Sequence, residues 1–156
     1  MMKSNRPTGE VSSDAGFPLV KATKRLSAND LGITGTHQSG ILIPKDPSVL
    51  GLFPTLDVTR LNPDCVIDFY VPNFDQYRQA RFVYYNGRDL GMGTRSEYRL
   101  TRIAGLLREF GAQVGDQLEF RREQSGEVRV ELREAEEIVQ VEARRLRSGW
   151  VMTVED

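Results

Sequence analysis

The sequence predicts a mainly β fold of the α+β class, a barrel or sandwich of short strands accompanied by two brief helices. Runs of alternating or β-branched and aromatic residues recur along the chain with turn signals between them, whereas only two segments look helical. The 14 Gly and 7 Pro residues are typical of a loop-rich β domain. A chain of 156 residues is long enough to bury the core of one domain.

The elements follow in order. Residues 1–16 are polar and small, and we expect a flexible lead before a single domain at residues 17–156. Residues 45–54 predict a helix with Asp46 or Ser48 as the cap and Pro47 in the first turn, and 105–110 predict a second. Residues 135–156 fit either a helix or strands, since their apolar positions match both periods. Strands are predicted at 19–26, 40–44, 65–72, 78–86, 96–103, 116–122 and 127–134.

The near-neutral charge of −1 conceals an uneven distribution along the chain. Residues 21–102 carry 11 Lys and Arg against 8 Asp and Glu, whereas residues 103–156 carry 8 against 12. The basic part is compatible with a nucleic-acid partner, and the acidic part with a linker or an interface. Arginine outnumbers lysine by 17 to 4. The planar guanidinium suits phosphate and guanine, although a GC-rich genome also favours arginine codons.

Two loops are predicted to project from the sheet and to carry recognition groups. The first is Lys24–Gly40, KRLSANDLGITGTHQSG, and the second is Asn86–Arg102, NGRDLGMGTRSEYRLTR. In the first loop, Lys24 and Arg25 suit phosphate contacts. The other polar side chains can reach base edges or the DNA backbone, and they are Asn29, Asp30, His37 and Gln38. For Asn29 and Asp30 the alternative is that they cap a turn.

In the second loop, strand alternation predicts that Arg95, Glu97 and Arg99 share one face. Two guanidinium groups beside one carboxylate can read a G·C pair from both sides, because arginine donates to O6 and N7 of guanine while glutamate accepts from N4 of cytosine. The alternative is an exposed strand whose charges pair with one another. Both interpretations remain open from these residues alone.

Enzyme sites find little support in the sequence. A magnesium-dependent nuclease needs clustered carboxylates and a nearby lysine. Asp64 could supply one carboxylate, but no Glu-x-Lys motif occurs anywhere in the sequence. A small hydrolase would have to use His37 without a nucleophile elbow. One histidine and one cysteine, Cys65, disfavour structural zinc and exclude an internal disulfide. The apolar runs are too short to span a membrane, so we expect no membrane partner and a cytoplasmic protein.

Several stretches resemble the N-terminal effector-binding domain of EcoRII-type restriction endonucleases. They are KRLSANDLGITGTHQSG with ILIP, then LFP, TR and LNP, and finally RFVYYNGRDLGMGTRSEYRLTR. The later stretch FGAQVGDQLEFRR resembles the plant B-three DNA-binding domain, so the resemblance implies a seven-stranded DNA-binding pseudobarrel. It also implies that the two loops are an N-arm and a C-arm that grip double-stranded DNA from the major groove at 5′-CCWGG.

The resemblance implies a DNA-binding domain without a catalytic or metal site. Such a domain binds DNA without a cofactor, as a monomer, and magnesium belongs to a nuclease domain joined to its C-terminal side. A stand-alone transcription regulator with the same barrel is the alternative. Tyr98 replaces the family's lysine, and the turn around Met92 is one residue longer. The expected DNA-binding residues are Lys24, Arg25, Asn29, Asp30, His37, Gln38, Arg81, Asn86, Arg88, Arg95, Glu97, Tyr98, Arg99 and Arg102.

Overall fold

The computed structural model describes residues 19–33, 40–135, 144–145 and 149–155. Within them the chain forms nine strands and two short helices. The helices are α1 (Pro47–Leu50) and α2 (Ala104–Phe110). The strands are β1 (Leu19–Arg25), β2 (Ile41–Ile43), β3 (Asp64–Val71), β4 (Gln76–Tyr85), β5 (Glu97–Thr101), β6 (Gln117–Arg122), β7 (Val128–Arg133), β8 (Arg144–Arg145) and β9 (Trp150–Glu155).

All nine strands belong to one sheet, in the order β2-β5-β4-β3-β7-β6-β1-β9-β8. Neighbours are antiparallel except for the β3–β7 pair, which is parallel. The two ends of the sheet approach each other, because the indole Nε1 of Trp150 in β9 donates to the backbone oxygen of Leu42 in β2 at 3.0 Å. The sheet is therefore curled into an open barrel.

Aromatic side chains fill the inside of the curled sheet. Phe53, just after α1, stacks on Phe82 with ring centroids 4.7 Å apart and meets Phe120 edge-on at 6.1 Å. Trp150 is fully buried and lies 5.5 Å from Phe120. Offset and edge-on ring pairs add about 1 kcal/mol each to the apolar area that they bury. These contacts join β4, β6 and β9 into one rigid body.

Both helices have ends that the sequence dictates. Asp46 caps α1, since its Oδ1 accepts from the backbone N–H of Ser48 at 2.8 Å, and Pro47 occupies the first turn where no backbone donor is needed. Helix α2 stops at Gly111, whose φ of 69° is the left-handed conformation that glycine adopts freely. The predicted cap and the predicted second helix are both confirmed.

The predicted fold class is confirmed, and β1 to β7 lie at the seven predicted strand positions to within two residues at each end. Strands β8 and β9 add to these, and they lie in the segment that fits either period. In β9 the conformation is decided by pairing with β1, because every residue of β9 has a partner on that strand. Such a partner is distant in sequence, so the local pattern of residues does not reveal it. None of the described helices is long and apolar enough to cross a membrane. The lead at 1–16 lies outside the described residues.

Candidate nucleic-acid interface

The C-arm residues are held by the β4–β5 hairpin, whose two faces differ sharply. The inner face carries core residues such as Phe82 and Leu100, which pair with each other across the strands. Val83 lies opposite Arg99 and Tyr85 lies opposite Glu97. Directly opposed residues project to the same side of an antiparallel sheet, so the outer face carries the polar side chains.

On this outer face Arg95, Glu97 and Arg99 form one continuous row, as the alternation predicted. The carboxylate of Glu97 accepts from Arg95 at 3.0 Å and also from the Nε of Arg99. Burial alone would raise the pKa of Glu97, but the hydrogen bonds from the two guanidinium groups outweigh it and hold the pKa below its usual value. Glu97 is therefore an ionised acceptor at neutral pH.

The two arginines of the row have different surroundings. The Arg99 side chain is only 5% exposed, and its Nη1 also donates to the backbone oxygen of Gly40 at 3.3 Å, where the first loop rejoins the sheet. The Arg95 side chain is 44% exposed and lies over the ring of Tyr85 with 3.8 Å between its Cζ and the ring centroid. Arg99 is thus tied into the fold, whereas Arg95 is held flat and keeps donors facing solvent.

The tip of the C-arm is a closed loop at residues 86–96. The backbone N–H of Arg88 donates to the carbonyl of Arg95 at 2.9 Å and closes the base of this loop. The loop is exposed beyond that bond, and Met92 at the extra position is 67% exposed. Arg88 is also exposed, so the tip presents one cation beside an apolar side chain.

Asn86 has a structural role, which corrects its interpretation as a DNA contact. It is fully buried, and its amide nitrogen donates to the carbonyls of Val58 and Arg60 at 3.1 and 2.8 Å. Its oxygen accepts from the N–H of Asn62 at 2.8 Å. The asparagine therefore fixes the loop before β3 against the base of the C-arm.

Tyr98 faces the opposite side of β5 from the charged row. Its ring stacks on Tyr84 at 4.0 Å and on Phe82 at 5.5 Å between centroids. Strand alternation requires this, because Glu97 and Arg99 already point outward on either side of it. Tyr98, expected as a DNA contact, is therefore packed against the core instead.

Arg81 and Arg102 lie at the other end of the hairpin's outer face. The Nε of Arg81 pairs with Asp64 of β3 at 2.6 Å, and this hydrogen bond lowers the pKa of the Asp64 carboxyl. Arg102 follows β5 with a φ of 61° and is exposed. The charge of Arg102 also favours the ionised form of Asp64. Two arginines and one carboxylate thus border the row on this side.

The N-arm begins with a tight turn. Asp30 accepts from the N–H of Ser27 at 2.9 Å, while Ser27 Oγ accepts from the N–H of Asp30 at 3.2 Å. The Lys24 ammonium pairs with Asp30 Oδ2 at 2.9 Å, and both side chains are less than a tenth exposed. The alternative in which Asp30 caps a turn is confirmed. Lys24 was expected to contact phosphate, but its side chain lies inside the fold. His37 and Gln38 lie outside the described residues.

A cleft of about 560 Å³ brings the two loops together. Arg99 lines it from β5, and Gly149 lines it from the start of β9. Five predicted contact residues line it, four from the start of the N-arm and one from β5, namely Lys24, Arg25, Asn29, Asp30 and Arg99. The charged row of the C-arm therefore leads directly into the root of the N-arm. Within the described residues, no group of three or more His, Cys, Asp or Glu side chains is placed to hold a metal ion.

Comparison with known families identifies this arrangement. The family described as "Restriction endonuclease EcoRII, N-terminal" matches residues 18–117, which include both loops and therefore the charged row of the second. The chain belongs to this family. The EcoRII N-terminal match ends at the start of β6, so β7 and the strands after it lie outside the matched range.

Two relatives of known identity support the assignment. The type II restriction enzyme EcoRII of Escherichia coli is 48% identical over 81 residues, which make up 51% of this chain and 20% of that enzyme. The match thus spans about a fifth of the relative's length. The crystal structure of the UbaLAI restriction endonuclease B3 domain, determined with its cognate DNA, aligns with a TM-score of 0.53 and 17% identity. It covers 77% of this chain and 70% of that one, and it shows the shared pseudobarrel fold.

Sequence reasoning missed Tyr85, the platform beneath Arg95. Tyr85 ends β4 directly opposite Glu97, so the register of the hairpin would have placed it beside the charged row. The sequence could also have revealed the core position of Lys24. Apolar residues occupy every second position around it, at Val20 and Ala22 in β1 and at Leu26 just after it, and Lys24 falls on the same spacing of two.

Proposed function

We propose that this chain is the DNA-recognition domain of a type II restriction endonuclease and that it binds double-stranded DNA at 5′-CCWGG with its N-arm and C-arm in the major groove. The observation that carries the proposal is the exposed part of the row, where the guanidinium donors of Arg95 lie beside the ionised acceptor Glu97 on one outward face while the buried Arg99 holds Glu97 from the other side. This is the combination that matches guanine and cytosine edges in the major groove.

The geometry of the row supports base reading. The Arg95 guanidinium and the Glu97 carboxylate lie 3.0 Å apart, so the two groups can face the guanine and the cytosine of one base pair together. Because Arg95 is held by Glu97 and Tyr85 before any DNA arrives, little side-chain freedom is lost on binding.

The other predicted contacts take complementary roles. Arg25, Arg88 and Arg102 are exposed and suit phosphate contacts, which position a protein on the duplex without reading sequence. His37 and Gln38 are proposed as N-arm contacts from the resemblance alone. The domain itself binds without a cofactor and without cutting, while magnesium-dependent cleavage belongs to a separate nuclease domain of the parent enzyme.

Fluorescence anisotropy with labelled duplexes tests the proposal. CCWGG should bind more tightly than the otherwise identical CCSGG duplex by roughly 5 to 150-fold, because one wrong base pair costs about 1–3 kcal/mol. Affinity should fall steeply with salt and be unchanged by a chelator. Equal affinity for the two duplexes would contradict the proposed 5′-CCWGG specificity, and failure to bind either one would remove DNA binding altogether.

A further inference from the structure

Lys24 occupies a position in β1 that alternation reserves for the core. Val20, Ala22 and Leu26 point inward and are buried, and Lys24 lies between the last two of them with the same orientation. The residue as a whole is 4% exposed. A lysine is almost never buried to this degree unless its charge is paired.

The partner of Lys24 is the residue that closes the N-arm turn. The ammonium lies 2.9 Å from Asp30 Oδ2 and donates to the backbone oxygen of Arg25 at 2.8 Å. The same Asp30 oxygen accepts from the N–H of Ser27. One buried lysine thus ties the strand to the first turn of the arm, and two of its donors are used within the protein.

The last strand packs against this same point. Gly149, with a φ of 79°, precedes Trp150 and lies so near that an added Cβ would be 3.2 Å from the oxygen of Arg25 and 3.5 Å from the Lys24 ammonium. Trp150 in turn bonds to Leu42, beyond the other end of the arm. The segment that leaves β1 and the strand that receives the arm are both fixed by the start of β9.

We infer that Lys24 and Asp30 are positioning residues, a buried ion pair that sets the angle at which the N-arm leaves the barrel. The inference rests on the proposed function, since the arm is what meets the DNA. It assigns Lys24 a role other than the phosphate contact that its charge suggests, and it leaves that contact to the neighbouring Arg25, which points outward and is exposed.

The salt dependence of binding separates the two roles. A phosphate contact contributes about one unit to the slope of log K against log salt, whereas a positioning residue changes affinity at every salt concentration alike. Lys24→Met should therefore lower the affinity for CCWGG at least tenfold with an unchanged slope. Arg25→Met, its matched control on the opposite face of the strand, should reduce the slope by about one. A slope reduced by Lys24→Met as much as by Arg25→Met would overturn the inference, and so would an unchanged affinity.

A second measurement needs no DNA and therefore stands if the proposed function fails. The N–H groups of Leu31 and Ile33 bond to the carbonyls of Ser27 and Ala28 within the arm. In the free protein, hydrogen exchange at these two amides should accelerate at least tenfold in Lys24→Met, while exchange in the β6–β7 hairpin stays unchanged.

Asp30→Asn serves where Lys24→Met proves too unstable, because asparagine keeps an acceptor for Ser27 and loses only the charge. It should accelerate the same amides. Unchanged exchange at Leu31 and Ile33 in a folded variant would show that the ion pair does not position the arm, whatever the outcome with DNA.

Discussion

Arg95→Ala separates recognition from folding more cleanly than any other change in the row. In the free protein Arg95 makes one exposed ion pair, with Glu97, and one cation–π contact, with Tyr85. Such contacts contribute less than about 1 kcal/mol each at exposed sites. Because there are two of them, the free energy of unfolding should fall by less than about 2 kcal/mol, and the barrel should stay intact.

The same change should have a larger effect on DNA binding. A bidentate contact between arginine and guanine contributes about 1–3 kcal/mol of discrimination, which corresponds to roughly 5 to 150-fold in affinity. The loss should appear for CCWGG and should be much smaller for a duplex in which the G·C pair read by Arg95 is replaced. Equilibrium titration of both duplexes, with urea unfolding of the same samples, measures the two quantities side by side.

The chain offers a matched control in Arg78. It too pairs with one carboxylate, Glu109, at 2.6 Å and lies over an aromatic ring, Phe74, at 5.4 Å. It lies seven residues before Tyr85 on β4, about 23 Å along the strand. Arg78→Ala should lower stability at least as much as Arg95→Ala, because Arg78 also donates to Gln76, and it should leave DNA affinity unchanged. If the two variants lose affinity equally, or if Arg95→Ala loses none, the base-reading role of the row is refuted.

Three further changes probe the frame that presents the row. Asn86→Ala removes three hydrogen bonds from a buried amide and should lower the free energy of unfolding by about 3 kcal/mol in urea titration. Its control, Gln79→Ala, removes an exposed amide bonded to Asp68 and should lower it by less than about 1 kcal/mol. Similar losses in the two variants would contradict the structural role of Asn86. Gly40→Ala should prevent stable folding, because its Cβ would lie 2.2 Å from the backbone oxygen of Leu100. Its control, Gly91→Ala, has a similar φ of 71° and open space around it, and should lower the free energy of unfolding by only about 1 kcal/mol. A soluble Gly40→Ala protein with a normal melting temperature would contradict the β2–β5 register. Glu97 has a lowered pKa in the folded state, so its contribution is present above the unfolded value near 4.3 and is lost as pH falls through the folded value. Wild type should therefore exceed Glu97→Gln in stability by about 1 kcal/mol at pH 6, with the gap closing below about pH 4; a gap that is constant from pH 6 to pH 3 would show that the ion pairs contribute nothing.

The sequence predicted most of the strands because β-branched and aromatic residues alternate wherever one side of the sheet meets the core, as in β3 and β4. It predicted the shared face of Arg95, Glu97 and Arg99 for the same reason. Local patterns do not contain the partner of a strand. The approach of Arg99 to Gly40 therefore depends on the β2–β5 pairing, and it emerged only from the fold.

Residue type was a poor guide to role where burial reversed its usual meaning. Asn86 looked like a DNA contact, but its amide makes three hydrogen bonds to the backbone of residues 58–62. Lys24 looked like a phosphate contact, but the alternation of β1 turns its ammonium inward to Asp30. In both cases the polar group bonds to other protein groups in the interior, where it was expected to contact DNA on the outside.

The major groove itself can be tested by changing single atoms of guanine in the CCWGG duplex. Replacing dG by 7-deazaguanine removes the N7 acceptor in the major groove, whereas inosine removes only the amino group in the minor groove. We predict a loss of roughly 5 to 150-fold in affinity with 7-deazaguanine at the position read by Arg95, abolished in Arg95→Ala, and a change of less than about twofold with inosine. Full affinity for the 7-deazaguanine duplexes, together with a marked loss with inosine, would contradict an arm that reads bases from the major groove.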